Sequence, residues 1–292
     1  MFIEVQIVNA FIDGERGGNP AGVVVDANGL TAAQKLHIAQ QVGLSETAFV
    51  SHSNSATRKL EFFTPTKQIA HCGHATVATF SLLRQMGLVG DGRLSKETID
   101  GNRDILVAGE MAFMEQRAPR YTPIAPHSEL GGRILASLEL EPHHLWPNLD
   151  LYVVNTGNSF LLIPLLDEQI VANLQPQQDA IEAISEELDL IGYYAFSTTT
   201  KVDGRQAGVR MFAPRFGIPE ESGTGMAAGP LACFLYDYLG LKQPEMLIEQ
   251  GWLMPNPSPS VIKVVLEFEQ GQIVRLMAGG IGKTISAMTI EI

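Results

Sequence analysis

Along most of this chain apolar positions recur every second residue in short runs, and only a few stretches repeat at helical spacing. Weak alternation over 3–9 predicts a first strand, and Gly22-Val23-Val24-Val25, at the end of a turn-rich loop from Gly14 to Gly22 that contains Gly17-Gly18-Asn19-Pro20-Ala21-Gly22, predicts a second. Thr31 is placed to cap a helix over 32–42, with Leu36, Ala39 and Val42 on one side and Gly43 as its stop. Leu44-Ser45-Glu46-Thr47-Ala48-Phe49-Val50 reads as a turn entering a strand, and 59–63 as another strand. Residues 75–86 predict a different kind of helix. Val77, Ala78, Phe80, Leu82, Leu83 and Met86 leave few positions for solvent, so it is expected to be buried on all sides and stopped by Gly87. Two strands broken at Gly109 are expected over 98–114. Pro119, Pro123 and Pro126 mark 115–128 as the crossover into a second half.

That half has the same grammar. A short helix is expected over 129–138, strands on either side of Thr156-Gly157-Asn158, and an amphipathic helix over 177–190 with Ile181, Ile184 and Leu188 in register. Strands follow at 193–197 and 209–212, then a second wholly apolar helix over 227–239. Strands at 261–268, 272–278 and 284–290 close the chain. Many strands, few helices and hairpin-length connections indicate an α+β fold, with curved antiparallel sheets wrapped on central helices.

The two apolar helices are part of a repeat. Phe63-Thr64-Pro65 precedes a loop and Cys72-Gly73-His74-Ala75-Thr76; Phe212-Ala213-Pro214 precedes a loop and Thr224-Gly225-Met226-Ala227-Ala228. The prolines are offset by 149 residues and the glycines by 152, which is one three-residue insertion in the second loop. Paired halves with helix starts at their junction predict a cleft for a small molecule.

Composition narrows the partners. A net charge of −12 argues against nucleic acid and anionic membrane surfaces. The two cysteines, Cys72 and Cys233, have neither disulfide-framework nor metal spacing. No basic region followed by an apolar segment opens the chain, and its apolar runs are too short for a bilayer, so a cytoplasmic protein is expected. No Walker loop, dinucleotide fingerprint, zinc spacing or Gly-x-Ser-x-Gly elbow occurs.

The candidate chemistry lies at the helix starts. Their unpaired N–H groups carry partial positive charge, and Gly73 and Gly225 allow a ligand close to the backbone. Such a start can hold a carboxylate, although ordinary capping needs the same residues. Glu46 is either a solvated turn residue or a general base, and His74 either a structural histidine or its polar partner. Cys72 stands where a thiolate can be stabilised. Its counterpart is Thr224, so a two-thiol racemase is not available.

Several motifs in one order make the chain resemble the PhzF-like (phenazine-biosynthesis-like) isomerase family, which is similar in fold to diaminopimelate epimerase. They are Gly18-Asn19-Pro20-Ala21, Leu44 to Val50, Phe62-Phe63-Thr64-Pro65, Cys72-Gly73-His74-Ala75-Thr76, and Phe212-Ala213-Pro214 with Gly217-Ile218-Pro219-Glu220. The resemblance implies two pseudo-twofold-related domains, each a curved sheet round a central helix, here 1–117 plus 277–292 and 118–276. It implies a homodimer that needs no cofactor and acts on a small carboxylate. Glu46 and His74 then match the family's proton-transfer pair and Glu221 its supporting acid, with Asn19, Gly73, Thr76, Thr224, Gly225 and Met226 around the substrate. The departures are in the second loop: Glu221 stands where the family commonly has Asp, and Met226 where it has Ser. They leave two other readings, a non-catalytic binding protein and a Cys72-dependent amino-acid epimerase.

Overall fold

The computed structural model covers residues 1–292. They divide into two units, Met1–Glu115 with Gly279–Ile292 and Gln116–Ala278.

In the first unit, β1 (Phe2–Ala10) pairs antiparallel with β2 (Asn19–Val24). A helix, α1 (Ala32–Val42), then carries the chain to β3 (Thr47–Ser51), which lies parallel to β2. The ends of α1 are where the sequence puts them. Thr31 Oγ1 accepts from the Gln34 amide while Gln34 Oε1 accepts from the Thr31 amide, closing a capping box. Gly43 ends the helix at φ 68°, a left-handed conformation that suits glycine. β3 pairs antiparallel with β4 (Arg58–Phe63), and the short β5 (Gln68–Ile69) adds to β4. Then comes α2 (Gly73–Gln85), buried from Gly73 through Leu83. It leads to β6 (Gly92–Thr98), parallel to β4, followed by antiparallel β7 (Gly101–Ala108) and β8 (Met111–Arg117).

In the second unit, β9 (Arg120–Ile124) and α3 (Glu129–Ala136) precede β10 (Leu151–Asn155) and β11 (Ser159–Pro164). Two helices, α4 (Glu168–Ala172) and α5 (Gln178–Glu187), lead to β12 (Gly192–Ser197) and β13 (Ala207–Ala213). After β14 (Ile218–Glu221), α6 (Gly225–Asp237) occupies the place that α2 has in the first unit. β15 (Glu245–Gln250), β16 (Ser260–Glu269) and β17 (Gln272–Glu291) complete the chain. Both units follow one pairing scheme. The pair β10–β11 is antiparallel, β11–β12 parallel, β12–β13 antiparallel, β13–β15 parallel and β15–β16 antiparallel. The same alternation runs from β1 to β7. Within the α+β architecture, each parallel pair is one whose strands are joined through a helix, as a crossover requires.

Several elements differ from expectation. The segment 115–128, where the crossover was expected, also holds a strand: β9 pairs with β10, placing Pro123 opposite Tyr152. A proline fits a strand whose N–H side needs no ladder partner. The segments at 272–278 and 284–290 are one strand, β17. Its last part pairs with β1 across a bulge at Ile7/Val8. Pro230 is the sixth residue of α6, beyond the first turn, yet the helix continues through it. Having no N–H, it leaves the Met226 carbonyl without its usual helical donor.

Each unit has its own core. In the first, Val5, Ile7, Val24, Ile38, Phe49 and Phe63 cluster under α1. In the second, Ile134, Leu161, Ile163, Ile181, Tyr193 and Phe212 pack with α3 and α5. Full burial of such side chains contributes roughly 1.5–3 kcal/mol each. The seat of α2 against β17 is tight. The Gly282 amide donates to Ser81 Oγ (3.0 Å), and a Cβ on Gly282 would meet Ser81 Cβ at 2.7 Å. No helix is long and apolar enough to cross a membrane.

Candidate active site

The turn into α2 gathers the first group of residues. Cys72 is the N-cap of α2, in extended conformation and making no side-chain cap hydrogen bond. The next two residues, Gly73 and His74, are buried in the first turn. Glu46 arrives from the loop between α1 and β3, where its carbonyl accepts from the Gly22 amide (3.1 Å) and ties the loop to β2. This brings a carboxylate only 6% exposed against a histidine only 3% exposed. Glu46 Oε2 lies 3.4 Å from His74 Nε2. The contact is too poorly aligned to be a hydrogen bond, and Oε2 makes no other within the protein. A buried carboxylate oxygen left in this state is costly, and its natural complement is a donor or an acidic C–H from a ligand.

His74 faces a different neighbour with its other nitrogen. Cys72 Sγ is 3.6 Å from Nδ1. Burial first, and the negative Glu46 second, push the Cys72 thiol above its ordinary value; His74 only partly offsets them. The sulfur is therefore protonated at neutral pH and can donate to Nδ1. A ring that accepts at Nδ1 carries its proton on Nε2, the nitrogen that stands 3.4 Å from Glu46 Oε2. Donor atoms of Glu46, Cys72 and His74 lie within 4.8 Å of one another, the kind of grouping that can hold a metal ion. The two close contacts of His74, however, use opposite edges of its ring. That arrangement is a chain of proton donors and acceptors more than a shared centre.

Behind the turn is a second polar group that the sequence did not single out. Lys96, on β6, is fully buried. Its Nζ donates to Thr76 Oγ1 (2.6 Å) and meets His71 Nδ1 at 3.0 Å, with Met114 Sδ at 3.9 Å and the Phe62 ring 5.1 Å away. Thr76 Oγ1 in turn donates to the Cys72 carbonyl (2.6 Å). Burial holds Lys96 well below the usual lysine value, and burial together with Lys96 and Arg103 lowers His71. Thr76, expected near the substrate, is fully buried, and its hydroxyl is taken up inside the protein. Asn19, at the head of β2 opposite Ala10, is also buried. Strand parity is the signal that could have revealed Lys96. It falls in the same inward-facing row of β6 as Thr98, with half-buried Glu97 between them.

In the second unit, Gln250 organises the start of α6. Its Oε1 accepts from Tyr194 Oη (2.9 Å) and from the Thr224 amide (3.1 Å). Its Nε2 donates to the Glu221 carbonyl (2.6 Å) and to Thr224 Oγ1 (3.1 Å). The Thr224 hydroxyl donates to the Glu221 carboxylate. Gln116 Nε2 donates to the Gly225 carbonyl (2.9 Å), and Thr156 Oγ1 donates to Gln116 Oε1 (2.7 Å). Half-buried Met226 accepts at its sulfur from Asn158 Nδ2 (3.5 Å). Glu221, Thr224, Gly225 and Met226 are thus held together, as Glu46, Gly73 and His74 are in the first unit. Cys233 lies in the interior of α6 and is wholly buried, with its thiol pushed up by burial.

A fold of twinned strand-and-helix units, each with a polar helix start, defines the class. The phenazine biosynthesis-like family model matches residues 8–281. The isomerase YddE of Escherichia coli strain K12 is 33% identical over 239 residues, covering 80% of this chain and 78% of that protein. The trans-2,3-dihydro-3-hydroxyanthranilate isomerase of Pseudomonas fluorescens is 29% identical over 297 residues, covering 97% and 98%. The crystal structure of the Bacillus anthracis phenazine biosynthesis protein of the PhzF family superposes with a TM-score of 0.89 at 26% identity, covering 100% of both chains. This chain belongs to the phenazine biosynthesis-like family and is one of its isomerases.

Proposed function

We propose that the protein moves a proton on a small carboxylate substrate without a cofactor, with Glu46 as the acid–base group and His74 as its polar partner. The observation that carries this reading is the buried Glu46 Oε2, 3.4 Å from His74 Nε2 at the head of α2 and without a hydrogen bond of its own. As carboxylate, Glu46 takes a proton from a substrate carbon, and the electron pair left behind spreads into the adjoining unsaturated system. As carboxylic acid, it returns the proton to another carbon on the same face. One group serves both half-steps, so charge and protons balance over the cycle. Backbone amides at the α2 start, beginning with Gly73, suit the substrate's carboxylate. The repeat extends the reading to Glu221, Thr224, Gly225 and Met226 as further substrate contacts. Met226 cannot donate a hydrogen bond where the family has serine, so the substrate preferred here differs from that of the Pseudomonas fluorescens enzyme.

The test is solvent deuterium incorporation into a panel of small unsaturated carboxylates that includes trans-2,3-dihydro-3-hydroxyanthranilate. Wild type is expected to exchange at least one of them, and Glu46→Gln to slow that exchange by about 10²–10⁴-fold. Exchange by Glu46→Gln within about tenfold of wild type would sink the proton-transfer role. The contact of Cys72 Sγ with His74 Nδ1 favours a second reading, in which the thiol is an acid–base group of an epimerase. Full activity in Cys72→Ala excludes it.

A further inference from the structure

The start of α2 lacks the usual means of being held in place. Its N-cap, Cys72, makes no side-chain capping bond; its thiol meets the His74 ring instead. The turn must nevertheless be fixed to keep His74 against Glu46, because a buried carboxylate next to a loosely placed ring would draw in water instead. What fixes it comes from another strand. The Lys96 amine reaches out of β6 to residues on both sides of Cys72-Gly73-His74: His71 before the helix and Thr76 within it. The Thr76 hydroxyl passes the connection on to the Cys72 carbonyl.

The count of hydrogens fits a neutral amine. Uncharged Lys96 has two N–H groups, and it has two good acceptors, His71 Nδ1 and Thr76 Oγ1. The third N–H of an ammonium would be left with the Met114 sulfur at 3.9 Å, a weak acceptor. Wholly buried lysines are rare and cost stability, and an apolar side chain of the same length would fill the space more cheaply. A polar group retained against that cost is one whose directionality is used.

We propose that Lys96 is a positioning residue for the isomerase reaction: through His71 and Thr76 it fixes the Cys72–His74 turn and so sets the His74 ring against Glu46. The proposal rests on the Glu46–His74 pair being the reacting site, but its test needs no substrate.

The experiment uses the whole protein in three variants, Lys96→Met, Thr76→Val and Thr76→Ser. Two signals are read on each: alkylation of Cys72 by iodoacetamide, with Cys233 as internal control, and the ring ¹H–¹⁵N correlations of His74 and His71. Lys96→Met and Thr76→Val are expected to speed Cys72 alkylation by about tenfold or more, since a buried thiol reacts through locally opened states. Both should also move the His74 ring signals. Thr76→Ser, which keeps the hydroxyl, is expected to behave as wild type in both respects. Cys233 stays unlabelled throughout.

Unchanged Cys72 labelling and His74 signals in both Lys96→Met and Thr76→Val would overturn the proposal. So would simultaneous labelling of Cys233, because loosening would then be general, or a failure of Thr76→Ser to restore the wild-type signals. Should Glu46→Gln keep its exchange activity while Lys96→Met loosens the turn, the proton-transfer role falls and the positioning of the turn stands.

Discussion

Replacing Lys96 by methionine removes a buried amine and keeps an unbranched side chain of similar size. In the folded protein burial holds this amine well below its ordinary 10.5, whereas the unfolded chain keeps the proton up to about pH 10.4. Between the folded value and 10.5 the unfolded state therefore binds one more proton than the native state, and stability rises with pH. Below the folded value both states hold the proton and the slope disappears. One proton corresponds to about 1.4 kcal/mol per pH unit, so wherever the native amine is neutral wild type should gain on Lys96→Met by about that much for each unit of rising pH. At pH 7 the expelled proton costs wild type at most about 5 kcal/mol, partly offset by the hydrogen bonds to Thr76 and His71. Cys72 works the other way. Its raised value means that the native state keeps a proton the unfolded chain loses above about pH 9, so stability falls there. That contribution sets in only near pH 9, so the slope of the difference between pH 7 and pH 8 belongs to Lys96. Urea unfolding at pH 7, 8 and 9 measures it. A difference that stays constant across the three pH values, within the roughly 10–15% error of extrapolation, refutes a neutral Lys96.

Two further perturbations follow from the second unit. Gln250→Leu strips four hydrogen bonds from the start of α6 and leaves Tyr194 Oη and the Thr224 amide buried without their acceptor. A loss of about 2–4 kcal/mol in urea unfolding is expected, and a loss under about 1 kcal/mol shows that the network is replaceable by water. Arg210 forms a fork with Glu220 and also donates to the carbonyls of Val171, Ala172 and Leu174 from a site only 3% exposed. Arg210→Lys keeps the charge but not the fork, and should cost about 2–4 kcal/mol by the same assay; a neutral result means that the charge alone suffices.

Much of the architecture was legible because it rests on periodicity and punctuation. The cap at Thr31, the stop at Gly43 and the two apolar helices are local features, and they fold as their residues indicate. The segments that were missed are those where tertiary pairing overrides local character. β6 reads Gly-Arg-Leu-Ser-Lys-Glu-Thr, which looks like a solvated loop until β4 and β7 flank it. β14 and β15 were hidden in the same way, behind a proline and several glutamates. At the candidate site, Glu46 and His74 were recognisable from their motifs. Lys96 and Gln250 were not, because a lone lysine or glutamine in a strand carries no motif. Only the parity of the strand places them inside, and parity needs the strand's register.

The pairing of β1 with the last part of β17 also constrains how the chain reaches this structure. The segment 279–292, which completes the first unit, is made after the whole of the second unit. Until that segment is in place the first unit lacks a strand, and β1 waits with one edge bare. The partnership of Ile3 with Ile290 spans almost the entire chain, a contact of the slowest-forming kind. The first unit is therefore the later one to gain protection in pulse-labelled hydrogen exchange. That strand also brings α2 its Gly282 donor at Ser81, so the helix that carries His74 gains its last support when the two ends of the chain meet.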